Sequence, residues 1–220
     1  MKNLDDDRRL LGTRLFLIGV LFELGAGIAA LIAGWVIGWD VLATLRWSSS
    51  GILHGAAATV PMIGFLVISV HLPWRVFVEL RETVEEVLVP PFRKMSIAQL
   101  AILATAAGWG EELLFRGLLQ GFVTDRWEGI TGTVMGIVVA NLLFACAHPV
   151  SKTYMAVTGG LGVYLSLLWL WSGDLAAPIT AHAAYDLLAL LYLLRISRRS
   201  TPEHGSETAD RPVSVSDGDA

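Results

Sequence analysis

Six apolar runs of roughly 17 to 25 residues dominate this chain, each about the length a helix needs to cross a hydrocarbon core about 30 Å thick. They lie at about Leu15 to Trp39, Ile52 to Val70, Ile97 to Phe122, Ile130 to Ala147, Tyr154 to Trp171 and Leu175 to Leu194. Of the 220 residues, 54% are hydrophobic and only 16% charged, a balance that belongs to a membrane protein and not to a soluble domain. The expected fold is therefore all-α: a polytopic transmembrane helical bundle of about six spans. The net charge of −4, without a basic patch, gives no reason to expect nucleic acid as a partner. The single cysteine, Cys146, lies within an apolar run, so no intramolecular disulfide can form. The first nine residues are polar and mixed in charge, and the run that follows is too long for the core of a signal peptide.

Between the second and third runs, Trp74 to Lys94 sets Arg75, Glu79, Arg81, Glu82, Glu85 and Glu86 among Val76, Phe77, Leu80, Val84 and Leu88. That spacing predicts one amphipathic helix lying at the membrane interface, ended by Pro90-Pro91. The chain then divides into an N-terminal two-span region with its linker (1–96), a helical core (97–195) and a polar tail (196–220) too poor in apolar residues to pack. Six spans put both termini on one side, together with Lys2, Arg8, Arg9, Arg14, Arg75, Arg81, Arg93, Lys94, Lys152, Arg195, Arg198 and Arg199. Only Arg46 and Arg126 face the other side, so the crowded side is expected to be cytoplasmic and the bilayer to be the cell membrane.

Ionisable side chains inside a span are costly and need a reason. The third run carries Glu111, Glu112 and Arg116. Glu112 and Arg116 stand four apart in the favourable order for a helix ion pair, which serves equally as a lock between helices or as part of a site. Glu111 points about 100° away from Glu112 round a helix of 3.6 residues per turn and has no cation one turn on. Such a carboxyl must be neutral or must face a water pocket, and a general base meets that description. The fourth run ends in Phe144 and His148, one turn apart, with Asn141 further back on the same face. The sixth holds His182 and Asp186 at i and i+4, where the carboxylate can accept from one imidazole nitrogen and orient the other. His54 and His71 have no acid at helical spacing, His204 lies in the polar tail, and Glu23 in the first run has at most Arg14 or a water defect on the lipid side to balance it.

Glu111-Glu112-x-x-x-Arg116, Phe144-x-x-x-His148 and His182-x-x-x-Asp186, in that order on three spans, resemble the three motifs of the type II CAAX prenyl endopeptidase and bacteriocin-processing family (CPBP, or Abi). The resemblance covers about Ile97 to Leu194, including the glycines 159, 160 and 162 before Pro178. It implies an intramembrane endopeptidase in which Glu111 and His148 activate water and His182, with its partner at 186, stabilises the oxyanion. Glu112, Arg116 and Phe144 would hold the site, and the substrate would be a membrane-embedded or membrane-associated peptide. The family commonly has Asn where this chain has Asp186; an ionised carboxylate cannot donate to an oxyanion, so Asp186 either holds His182 as an imidazolium or is itself protonated.

No cofactor is expected. A zinc-dependent peptidase using Glu111, His148 and His182 as ligands is the alternative within the same reaction class, although no His-Glu-x-x-His helix is present. A non-enzymatic ion-pathway or immunity protein is the alternative outside it. One geometric difficulty stands. With these span edges His148 falls near the cytoplasmic end, whereas Glu111 and His182 lie nearer the opposite side. They meet only if a span is tilted, broken or displaced, and the glycine-rich stretch 129–136 is where a break is expected.

Overall fold

A computed structural model describes residues 2–199, with side chains for residues 11–197. The described chain is helical in seven elements: α1 Lys2–Ile37, α2 Ser49–His71, α3 Arg75–Phe92, α4 Ile97–Arg126, α5 Gly129–Ala147, α6 Lys152–Ser172 and α7 Ala176–Arg199. Five of the helices are long and apolar enough to cross a membrane by themselves. The sixth candidate is α4 taken with α3, the pair being bent through 113°. The six expected runs therefore all appear as helices. The difference lies at the ends: α1 starts well before Leu15, and α7 continues through Arg195 to Arg199. Ser197, expected to begin the tail, is buried, and its hydroxyl accepts from Arg93 Nη2 at 2.6 Å. The rest of the expected tail, 200–220, lies outside the described residues.

The bundle is inverted relative to a soluble one. Phe22, Trp35, Leu53, Val60 and Trp171 point outward, while Glu112, Arg116, Gln120 and Ser166 are fully enclosed. Lipid tails solvate the outer apolar side chains, so little hydrophobic force remains to draw helices together, and close backbone packing and polar contacts must do it. Two glycine contacts illustrate this. A side chain at Gly108 of α4 would meet the Ala183 backbone nitrogen of α7 at 2.8 Å. A side chain at Gly110 would collide with the Glu23 carbonyl of α1. These positions bring α1 and α7 against α4 on either side of Glu111 and Glu112.

The amphipathic segment forms the expected helix and ends near its two prolines. Its apolar face, Leu80, Val84 and Val89, packs with Leu100 of α4 and Leu194 of α7. The sharp bend lays it across the axis of α4, as a helix along an interface would lie. The chain then re-enters through a capping box: Ser96 Oγ accepts from the Gln99 N–H at 3.2 Å, and Gln99 Oε1 from the Ser96 N–H at 2.9 Å.

The glycine-rich stretch 129–136 is not a break; α5 is one continuous helix. Gly129 supplies the positive φ of the turn that leaves α4, and Gly132 and Gly136 let α5 approach the backbone of Thr124 and Gln120. The irregularity lies in α4, where Leu113–Gln120 is π-helical. The depth difficulty is resolved by overshoot. The start of α7 packs at the level of Gly117, because Leu175 is the neighbour a side chain there would touch. Glu111 stands six residues back from Gly117, and His182 six residues on from Ala176; both lie about 9 Å below that level, at 1.5 Å per residue. Helix α4 runs on to Arg126, so α5 starts further out and its C-terminal end reaches the same depth.

Asp174, in the α6–α7 loop, fixes where α7 begins. It accepts from the backbone N–H groups of Arg46, Ser48 and Ala176 and, at 2.6 Å, from the Ser48 hydroxyl. Burial opposes its charge, but these donors outweigh it and hold the carboxyl below its ordinary value of 3.8. A depressed native pKa adds stability that is complete above the unfolded-state value and is lost as pH falls through the native one. Asp174→Ala is therefore expected to lower stability by about 2–4 kcal/mol near neutral pH, several donors losing a charged acceptor. Thermal unfolding of both proteins should show this deficit shrinking as pH drops below 3.8; a deficit independent of pH would refute the charge-based account.

Candidate active site

The helix contacts described above gather Glu111 of α4, His148 just past α5, and His182 and Asp186 of α7 along the wall of a cavity of about 490 Å³. Glu112 and Arg116 lie behind its wall. Their side chains are fully buried and joined by an Arg116 Nη1 to Glu112 Oε1 bond of 2.7 Å. The same Glu112 oxygen accepts from His182 Nδ1, also at 2.7 Å. Arg116 Nη2 donates to the Gly162 carbonyl at 2.7 Å and to Asn141 Oδ1 at 3.3 Å. Asn141 in turn donates to Ser166 Oγ at 2.8 Å and to the Ile137 carbonyl at 2.7 Å. One network thus fixes α4, α5, α6 and α7 relative to each other, and it aims His182 Nε2 into the cavity.

Glu111 faces the cavity, with its side chain 13% exposed. Its Oε1 is 3.8 Å from His148 Nε2, and its Oε2 is 3.8 Å from His182 Nε2. His148 Nδ1 lies 2.8 Å from the Phe144 carbonyl, which can only accept; Nδ1 therefore carries the hydrogen, and a neutral ring turns its Nε2 lone pair toward Glu111. Phe144 itself holds the two rings apart. Its ring centroid is 4.7 Å from that of His148 and 6.2 Å from that of His182, with the Arg116 guanidinium 4.9 Å away over its face. All seven residues singled out from the sequence, Glu111, Glu112, Arg116, Phe144, His148, His182 and Asp186, come together here.

Two relations differ from the sequence expectation. Asp186, expected to orient His182, stands 3.5 Å from Nε2, the nitrogen that faces the cavity. The short bond that orients the ring comes from Glu112 on another helix, a pairing no local spacing could announce. Glu23 faces neither Arg14 nor lipid. It lines the same cavity, and its charge partners are His182, Asp186 and Glu111. Tyr154, whose ring lies 6.3 Å from that of His148, and Tyr185 also line it; the only signal for them in the sequence is proximity to His148 and Asp186. Among the described residues no three His, Cys, Asp or Glu side chains form a group able to hold a metal ion.

A family described as type II CAAX prenyl endopeptidase Rce1-like matches residues 93–188 of this chain. The resemblance drawn from the three motifs holds. Among named relatives, the uncharacterized protein YpbD of Bacillus subtilis (strain 168) is 34% identical over 99 residues, covering 43% of this chain and 46% of that protein. The membrane-embedded CAAX protease MroQ of Staphylococcus aureus (strain USA300) is 31% identical over 86 residues, covering 38% of this chain and 34% of that protein. The chain thus spans less than half the length of each of these two relatives. No solved structure matches it. The matched segment begins just after α3 and ends two residues beyond Asp186, so the Rce1-like portion holds all three motifs and omits α1 and α2.

The buried pair yields a stability prediction. Glu112→Gln keeps the shape but leaves the enclosed Arg116 charge uncompensated, and is expected to cost about 3 kcal/mol or more. Thermal unfolding of the purified variant in bilayer discs measures it; an unchanged midpoint would move the structural role from Glu112 to another group.

Proposed function

We propose that this chain is an intramembrane endopeptidase that hydrolyses a peptide bond with water activated by Glu111 and His148. The observation that carries the reading is the facing pair Glu111 Oε1 and His148 Nε2, 3.8 Å apart at the cavity wall. That separation lets one water oxygen hydrogen-bond to both at about 2.8 Å. The water attacks the scissile carbonyl and its proton passes to this pair. The carbonyl oxygen becomes an oxyanion and accepts from His182 Nε2–H, whose ring Glu112 holds through Nδ1. When the carbon–nitrogen bond breaks, the stored proton goes to the departing amine, leaving an acid, an amine and the starting enzyme. Cys146 is exposed on the outer side of α5, and Ser166 is engaged by Asn141, so neither is offered as a nucleophile.

Apolar side chains from α2 and α3, such as Met62, Phe65, Phe77 and Leu80, line the same cavity as the acids and imidazoles. That shape suits an extended peptide with apolar side chains, drawn from a membrane-embedded or membrane-associated substrate. The similarity to the type II CAAX prenyl endopeptidase Rce1-like family and to the CAAX protease MroQ adds CAAX-type processing to the classes to be tested. The test compares new protein termini, read by mass spectrometry of membrane fractions, in cells carrying wild type, Glu111→Gln or no copy. Termini made by the wild type are expected to be absent with Glu111→Gln, while that variant inserts and unfolds at an unchanged temperature. Equal cleavage by both proteins would overturn the reading. A purified wild type that loses activity on chelation and regains it with Zn²⁺ would replace it by the zinc form.

The surplus of Lys and Arg on alternate connections supports placing both termini in the cytoplasm of a cell membrane. A reporter enzyme fused after Leu194 is then expected to be active only on the cytoplasmic side; a periplasmic or luminal signal would reverse the assignment.

A further inference from the structure

Helix α1 lies outside the Rce1-like segment, yet it sends one carboxyl group into the site. Its inward stripe runs Gly19, Glu23, Gly27 and Ala30, at spacings of three and four, while Leu21, Phe22, Leu24 and Ile28 face outward. The small residues bring the backbones of α1 and α4 together, since a side chain at Gly27 would meet the Gly110 Cα at 3.1 Å and the Trp109 ring closer still. Glu23 is thereby set beside the residue that follows Gly110, which is Glu111. The Glu111 carboxyl lies within hydrogen-bonding reach of Glu23, and His182 and Asp186 stand nearby. Glu23 Oε2 and Glu111 Oε2 are both buried and without another hydrogen-bond partner among the described residues. Two ionised carboxylates cannot share such a place, but an acid and a carboxylate can, joined by one proton.

We propose that Glu23 is a positioning residue: protonated, it donates a hydrogen bond to Glu111 and fixes how that base presents its other oxygen to His148. The inference rests on Glu111 being the base. Glu23 then spends its proton on no chemical step; it orients a neighbour. The other charged or titratable groups around this pair are Glu112 of α4, His182, Tyr185 and Asp186 of α7, His148 after α5, Tyr154 of α6 and, lining the same cavity, Arg81 of α3. They are common to wild type, Glu23→Gln and Glu23→Met, so differences among these three report on position 23 alone.

The full-length protein is tested as wild type, Glu23→Gln, Glu23→Met and Glu111→Gln. The cleavage readout is the rate at which wild-type-dependent membrane-protein termini appear in cells. Gln keeps a donor at the same length; Met keeps the length and removes the donor. Glu23→Gln is expected to cleave within a few-fold of wild type. Glu23→Met is expected to be about tenfold slower or worse, the scale of one hydrogen bond to a charged group, while unfolding at the same or a higher temperature. A residue that served only stability would lose both together. Independently of substrate, the infrared carbonyl stretch of a protonated carboxylic acid in purified wild type is expected to vanish in Glu23→Gln. Full activity of Glu23→Met, equal failure of Gln and Met, or an infrared band unchanged by Glu23→Gln would each overturn the inference. A Glu111→Gln protein that cleaves like wild type would instead sink the underlying reading, and this one with it.

Discussion

A guanidinium enclosed by membrane helices cannot shed its charge, so every helix around it must turn a polar group inward. Arg116 is fully buried, and the rest of the core is arranged about it. The Glu112 carboxylate balances its charge, the Gly162 carbonyl and Asn141 Oδ1 accept from its Nη2, and the Phe144 ring lies under its face. Because Glu112 also holds His182, the charge that organises four helices also orients an imidazole. Attraction between these helices is correspondingly polar, where in water it would have been hydrophobic.

Adjacent glutamates receive opposite environments from this arrangement. Successive residues on a helix point about 100° apart, so Glu112 is committed to the cation while Glu111 is turned to the cavity and to two imidazoles. A carboxylate tied to a cation thus stands next to one left open to the cavity. The π-helical stretch after Glu112 belongs to the same design problem. It lies where α4 must present Arg116 inward while also packing Gly117 on Val41 and Gly121 on Trp39. Such wide turns occur often where a helix serves a site.

The bundle was legible because apolar length is written directly in the sequence, and helix edges fell within a few residues for α2, α5 and α6. The three motifs were legible because intramembrane charges are rare enough to demand a reason. What stayed hidden was whatever depends on two distant segments meeting. The Glu112–His182 bond joins positions 70 apart, and Glu23 becomes intelligible only once Gly27 and Gly110 bring α1 against α4. The glycines of 129–136 looked like a break because glycine weakens an isolated helix; here two of them admit the neighbouring backbone instead. The end of α7 was misjudged for a related reason, since a polar residue such as Ser197 gives no sign of a partner as far away as Arg93.

The cavity has two kinds of wall. Glu111, His148, His182 and Asp186 line it from inside the segment matched by the Rce1-like family, whereas Leu15, Glu23, Met62, Phe65 and Leu80 of α1, α2 and α3 line it from outside that segment. The matched segment therefore does not enclose the cavity by itself: one carboxyl group and much of the apolar lining come from the first three helices. Exchanging the bulk of Met62 or Phe65 changes the shape of that cavity without changing any of its ionisable groups. What fits in the cavity is thus set by both stretches of chain, the matched segment and the three helices before it.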